Sequence, residues 1–265
     1  MRTRTLRAVA TGALAVMLAV VGTGAPARAK ANMVAIDWVS AIVSVVGAAL
    51  AGGGTGSSQL DAAVRQIITA VEQSEQNILD HMDALASAEV RACARTHAIE
   101  LSDIEHMNNS VRMIWAQNAT ACATLATSYL ATVQSKSSAD TIGVAIGEIY
   151  AIAIAARARA GLTSGIETLV RDQIRSYETL IAKLAPSCHE DRYNEYDERG
   201  WLVLTEIHYT CAAYNGDSAT DYEAYIRARL VKGPLNRAAV DAEATRRTSR
   251  QIAFDGLPVL RTLGV

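Results

Sequence analysis

The sequence predicts a mostly α protein: an elongated bundle of long antiparallel helices over residues 30–187, followed by a smaller tyrosine-rich segment, 188–265, closed by its own disulfide. Three observations carry this. Apolar residues recur every seventh position from Val64 to Ile99, the period of near-parallel helix packing. Helix-capping residues and Gly, Pro or Ser clusters divide the chain beyond Ile99 into further helical stretches. At Cys188 the character changes, and charged and aromatic residues dominate.

Residues 1–29 read as a Sec-type signal peptide. Arg2, Arg4 and Arg7 precede an apolar run, Ala8 to Val21, and Ala27-Arg28-Ala29 supplies the small-x-small cleavage site. The mature chain is expected to begin at Lys30 and to be secreted, because the leader lacks paired arginines and a lipid-accepting cysteine, and the C-terminus has no anchoring tail. The leader holds four arginines and no acid, so its removal takes 25 basic against 27 acidic residues to 21 against 27, a formal charge of −6. That balance argues against nucleic acid as a partner, since phosphate neutralisation needs clustered positive charge. Arginine outnumbers lysine 21 to 4, a composition resembling GC-rich bacterial genomes.

Met33 to Ala51 is a second apolar stretch ending in the flexible run Gly52-Gly53-Gly54-Thr55-Gly56-Ser57-Ser58. Ser58 and Asp61 have capping-box spacing and open the next helix. Along it Val64, Val71, Ile78, Leu85, Ala92 and Ile99 form one seam, and Leu60, Ile67, Ser74, His81 and Ala88 a second, more polar one. Unbroken to Met107, this helix would span about 70 Å. After an Asn108-Asn109-Ser110 turn, Val111 to Gln134 forms a third helix with Trp115, Leu125 and Leu130 on its apolar side. Thr141 to Ala156 is strongly apolar, with Glu148 its one charge and Gly143 and Gly147 four residues apart. Ser164 and Glu167 then cap an amphipathic helix that runs to Leu184 and stops at Pro186.

In the last segment, residues 189–198 are nearly all charged or aromatic and read as an exposed loop. From Trp201 to Cys211 the alternation of Trp201, Val203, Thr205, Ile207 and Tyr209 fits a strand of a short β-hairpin, while a helix with Trp201, Leu204 and His208 in line fits nearly as well. Thr220 to Val231 reads as a helix ended by Gly233-Pro234, and Leu235 to Ala253 as the last helix before a loose tail.

Four cysteines in an exported chain favour two disulfides. Cys93 and Cys122 are centred on the turn at residues 107 and 108, so a helix hairpin brings them level. Cys188 and Cys211 then pair by elimination, centred on Arg199-Gly200. One helix over 189–212 would hold that pair about 35 Å apart, beyond disulfide reach.

No set of side chains names a reaction. Gly216-Asp217-Ser218 resembles the nucleophile fragment of GDS-type lipases and of chymotrypsin-like proteases, but it lies late in the chain and all five histidines precede it. A turn leading into a helix cap is expected there. His97, Glu100, Asp103 and His106 step by three along one helix and read as solvated surface. His189-Glu190 lacks the second histidine of a zinc motif, because Tyr193 stands at that position. No phosphate loop is present, and neither a cofactor nor a metal is expected.

Tyr193, Tyr196, Trp201, Tyr209, Tyr214, Tyr222 and Tyr225 are the candidate binding residues, because aromatics with polar tips bury much area at small entropic cost. The expected function is therefore non-catalytic: a secreted binding protein whose partner is an extracellular protein, a glycan or a cell-envelope component. The alternative is a membrane-active protein whose segments 33–51 and 139–156 enter lipid. An exported, disulfide-stapled bundle with an apolar segment on a glycine hinge resembles the helical pore-forming toxins in layout, and that resemblance covers no motif.

Overall fold

The computed structural model describes residues 38–50, 57–83 and 88–265. The proposed leader 1–29, Asp37 and most of the glycine hinge lie outside the described residues, as do the side chains of Ser74, Ile78, His81 and Leu85 on the two heptad seams. The described chain is mostly helical, with one antiparallel sheet.

Among the described residues, six α-helices precede the sheet: α1 (Trp38–Leu50), α2 (Ser58–Asp83), α3 (Ala88–Glu100), α4 (Asn109–Thr132), α5 (Lys136–Arg159) and α6 (Ile166–Lys183). α5 lies at the centre, packed against α1, α2, α4 and α6. Its row of alanine, isoleucine and glycine leaves no polar stripe, and residues Ala151 to Ala156 are all buried. This helix is long and apolar enough to cross a membrane, and 83% of its apolar stretch is buried in the bundle. α1 buries Val39, Ile42, Val45, Val46 and Ala49 in the same core.

The seven-residue seams hold for Leu60, Val64, Ile67 and Val71, all buried on α2, whereas Ala88 and Ala92 are exposed on α3. The single long helix expected to Met107 is instead three elements: α2, α3 and a 3₁₀ turn over Leu101–Glu105. α2 and α3 pack on each other, which a single straight helix over these residues would not allow. α3 buries Val90, Ala94, His97 and Ala98, while Ile99 is exposed. Capping also departs from expectation. Ser57, one residue before Ser58, accepts the Leu60 amide at 3.3 Å. Gly165, not Ser164, precedes α6, and it makes no side-chain cap. Asn108 caps α4 through the Val111 amide, and Ser135 caps α5 through that of Ser138.

Both expected disulfides form. Cys93–Cys122 joins α3 to α4 with the Cα atoms 5.8 Å apart, and Cys188–Cys211 joins two strands at 4.1 Å. The sheet is a meander of β1 (Ser187–Tyr196), β2 (Leu202–Ala212), β3 (Ser218–Ile226) and β4 (Arg229–Lys232), in that spatial order. This corrects two expectations: residues 189–198 are a strand rather than a loop, and Thr220 to Val231 is a strand pair rather than a helix. β1 escapes alternation because it is an edge strand exposed along almost its whole length, where charged side chains are suited. The β3–β4 turn places Arg227 and Ala228 at φ +47° and +63°, the twist of a tight hairpin built here without Asn or Gly.

After the sheet come α7 (Arg237–Ala244) and α8 (Ser249–Arg261), where one helix and a tail were expected. α7 covers one face of the sheet; α8 returns to α5 and α6 and buries Ala253, Leu257 and Leu260. Buried Arg250 links these parts: it pairs with Asp241 of α7 and donates to the Ile181 carbonyl of α6 at 3.0 Å.

Candidate functional site

Cross-strand partners in an antiparallel sheet share a face, so the register sorts the candidate aromatics. Cys188 pairs with Cys211, Glu190 with Tyr209, and Thr205 with Tyr225, which puts these on the face that carries α7. There Cys211 packs with Leu235, Val240 and Ala244, and Tyr209 lies against the cluster. Arg237 of α7 stands 5.6 Å from the Tyr209 ring centroid and pairs with Glu190 at 2.5 Å. Glu223 on the same face accepts the Tyr225 hydroxyl at 3.1 Å and the Leu235 amide at 3.1 Å. That bond to a carboxylate holds the Tyr225 phenol above its ordinary pKa.

Among the described residues, no helix packs on the opposite face. Tyr193 meets His208 edge-on at 5.1 Å, His208 stacks on Tyr222 at 4.9 Å with the planes 7° apart, and Lys232 Nζ sits 3.2 Å above the Tyr222 ring. The row crosses all four strands. Its imidazole is held by Glu206 at 3.0 Å. His208 and Lys232 belong to this row and escaped sequence reasoning, since their place in it depends on strand register.

The far end of the sheet exposes large apolar side chains among charged ones. Asp197 closes the β1–β2 turn by accepting the Arg199 and Trp201 amides at 3.0 and 2.8 Å, and Gly200 supplies the φ of +79° the turn requires. Trp201 leaves that turn 71% exposed, beside Tyr196 at 60% and Leu202 at 46%. The β3–β4 turn ends at the same edge, tied by the Arg227 amide to the Val203 carbonyl at 3.1 Å, and exposes Ile226, Leu230 and Val231. Tyr214 lies at the other end of β2, bonded to Asp140 of α5. The 11 residues of β2 therefore separate this tip from the joint with α5, about 35 Å at the usual strand rise.

No family model, curated protein or solved structure matches this chain.

The other sequence candidates are dispersed. Ser218 is the first residue of β3, so the preceding turn leads into a strand and not a helix cap; Asp217 is paired with Arg247. His97 is buried and Glu100 accepts the Trp115 indole N–H at 2.7 Å, whereas Asp103, on the 3₁₀ turn, and His106, beyond it, are exposed. The four residues thus do not form the solvated stripe expected of them. His189 is exposed beside Asp191 at 3.5 Å. A different grouping, Cys93, His97 and Cys122, brings three potential metal-ligand atoms within 4.8 Å of one another. Its signal was the four-residue spacing of Cys93 and His97, which places both on one helix face.

Proposed function

We propose that this is an exported, non-catalytic binding protein in which an elongated bundle carries the sheet and the sheet's outer end engages an extracellular protein, a glycan or a cell-envelope component. The observation that supports it is the exposure of Trp201, Tyr196 and Leu202 at the β1–β2 turn, with Ile226 exposed at the end of β3. Exposed aromatic and aliphatic side chains of this kind mark interaction sites, and Trp and Tyr are the residues most often dominant in them. The aromatic row Tyr193, His208, Tyr222 and Lys232 continues the surface inward. Tyr209 and Tyr225, facing α7, act as its support. Export fits the two disulfides, which are compatible with an extracellular location.

Capture from envelope material tests the reading. The double variant Trp201→Ala/Tyr196→Ala is expected to lose the partner that the parent chain retains, with its thermal unfolding unchanged. Equal capture by the two proteins overturns it. Intact mass of the exported chain, expected to start at Lys30, tests the location separately.

The second reading, entry of segments 33–51 and 139–156 into a membrane, draws on the length and apolarity of α5. It requires the bundle to give up its central helix. Dye release from liposomes, abolished by Val43→Asp, is its expected signature.

A further inference from the structure

We propose that Cys93, Cys122 and His97 form a redox-gated site for one cuprous ion, closed as the disulfide and opened by reduction to two thiolates and an imidazole. Cys93 and His97 are one turn apart on α3, and Cys122 faces them from α4, with the three ligand atoms within 4.8 Å of one another. Ligands sharing one metal at the usual bond lengths of about 2.0–2.3 Å stand roughly 3.5–4 Å apart. Reduction thus needs a modest parting of the sulfurs across helices whose Cα atoms are 5.8 Å apart.

The histidine is prepared for the role. Its Nδ1 lies 2.8 Å from the Cys93 carbonyl oxygen, which can only accept, so Nδ1 donates there and Nε2 is left as the nitrogen for a metal. Trp115, packed at 5.3 Å and held by Glu100, fixes the ring from the side. His97 and Cys122 line a small pocket completed by Ala94, Ala119, Ile149 and Ile152. Those four residues offer no donor atom. Two soft sulfurs and one nitrogen in an apolar setting suit a soft ion satisfied by three ligands, whereas a structural zinc takes four.

The chemistry balances with an external dithiol as reductant. It gives two electrons and two protons to the Cys93–Cys122 bond and becomes a disulfide itself. Entry of the cuprous ion then displaces both thiol protons to solvent. In an oxidising compartment the bond stays closed, so the site opens only where such a reductant is supplied.

The full chain is reduced anaerobically with excess dithiol, freed of reductant and titrated with cuprous ion against a chromophoric cuprous chelator, with helicity followed by circular dichroism. One ion per reduced chain is expected and none per oxidised chain. Cys122→Ser should abolish uptake, Cys188→Ala/Cys211→Ala should keep it, and His97→Gln should weaken affinity about tenfold or more. X-ray absorption should show two sulfurs and one nitrogen. No uptake by the reduced chain, loss of its helical signal on reduction, uptake surviving Cys122→Ser or uptake lost from Cys188→Ala/Cys211→Ala, or unchanged affinity in His97→Gln overturns the proposal.

Discussion

The Tyr214 hydroxyl donates to Asp140 Oδ2 at 2.5 Å, joining the β2–β3 turn to the first turns of the central helix. The other oxygen of the same carboxylate accepts the Ser249 amide and the Ser249 hydroxyl, each at 2.6 Å. Thr248, at the start of α8, makes no side-chain cap of its own. Asp140 therefore caps α8 from another element, so the sheet and the returning helix share one anchor. Asp140→Ala should cost about 3 kcal/mol, because it strands the amide and hydroxyl of a buried serine that had bonded to a charge. Tyr214→Phe removes one bond at a half-open site and should cost about 1 kcal/mol or less. Urea unfolding of the two variants measures the ratio; equal costs would mean that the carboxylate does not cap α8.

A buried hydroxyl chain joins three helices. Thr127 of α4 lies 2.6 Å from the Tyr150 hydroxyl of α5 and 2.9 Å from Ser176 of α6. Tyr150 is fully buried, and burial pushes its phenol above the ordinary pKa of 10.0. The folded chain thus keeps this proton when the unfolded chain has lost it. Its contribution is complete below pH 10 and declines above it, by about 1.4 kcal/mol per pH unit until the folded phenol ionises as well. Tyr150→Phe should flatten the fall in stability between pH 10 and pH 11, as read by denaturant unfolding. Tyr225 is raised too, but it is solvated on the sheet and should add little.

The helices were legible because burial leaves a period in the sequence. Leu60, Val64, Ile67 and Val71 announce their seam directly. At Ala92 and Ile99 the seam does not hold, since both are exposed on α3, which packs on α2, and no Pro or Gly between the two helices' described residues marks the change. Both disulfides were legible from their centres, one on the helix turn and one on Arg199-Gly200. The sheet was legible only in β2, which has one side buried at Ile207 and Cys211. β1 and β4 are exposed on most of their length and carry no alternation to read. The sorting of Tyr193 and Tyr222 from Tyr209 and Tyr225 is a matter of strand parity, and a shift of one residue would exchange the faces.

The Cys188–Cys211 bond sits beside a small core in which Cys211, Leu235, Val240 and Ala244 are the buried members. A core that small cannot hold four strands by area alone, so the crosslink should carry a large share of the sheet's stability. Cys188→Ala/Cys211→Ala should lose about 3 kcal/mol. Hydrogen exchange should show faster opening of β1 and β2 while α5 keeps its protection. Equal acceleration in both would mean that sheet and bundle unfold as one unit.

Gly143 and Gly147, one turn apart on α5, are predicted to respond in opposite directions to the same substitution. A Cβ on Gly143 would meet Ser249 Oγ and stand 2.5 Å from Leu180 Cδ2, where α6 and α8 close on the central helix. Both neighbours are fully or almost fully buried and cannot move aside freely. Gly143→Ala should therefore cost about 1–3 kcal/mol through overpacking. A Cβ on Gly147 would find the Tyr177 hydroxyl at 3.4 Å and Trp38 at 3.5 Å, ordinary contact distances. Gly147→Ala should stabilise by about 0.5–1 kcal/mol, the helical advantage of alanine over glycine. Thermal unfolding of the two variants gives shifts of opposite sign if α8 seats against α5 at Gly143. A stabilised Gly143→Ala would show that α8 does not pack there in solution.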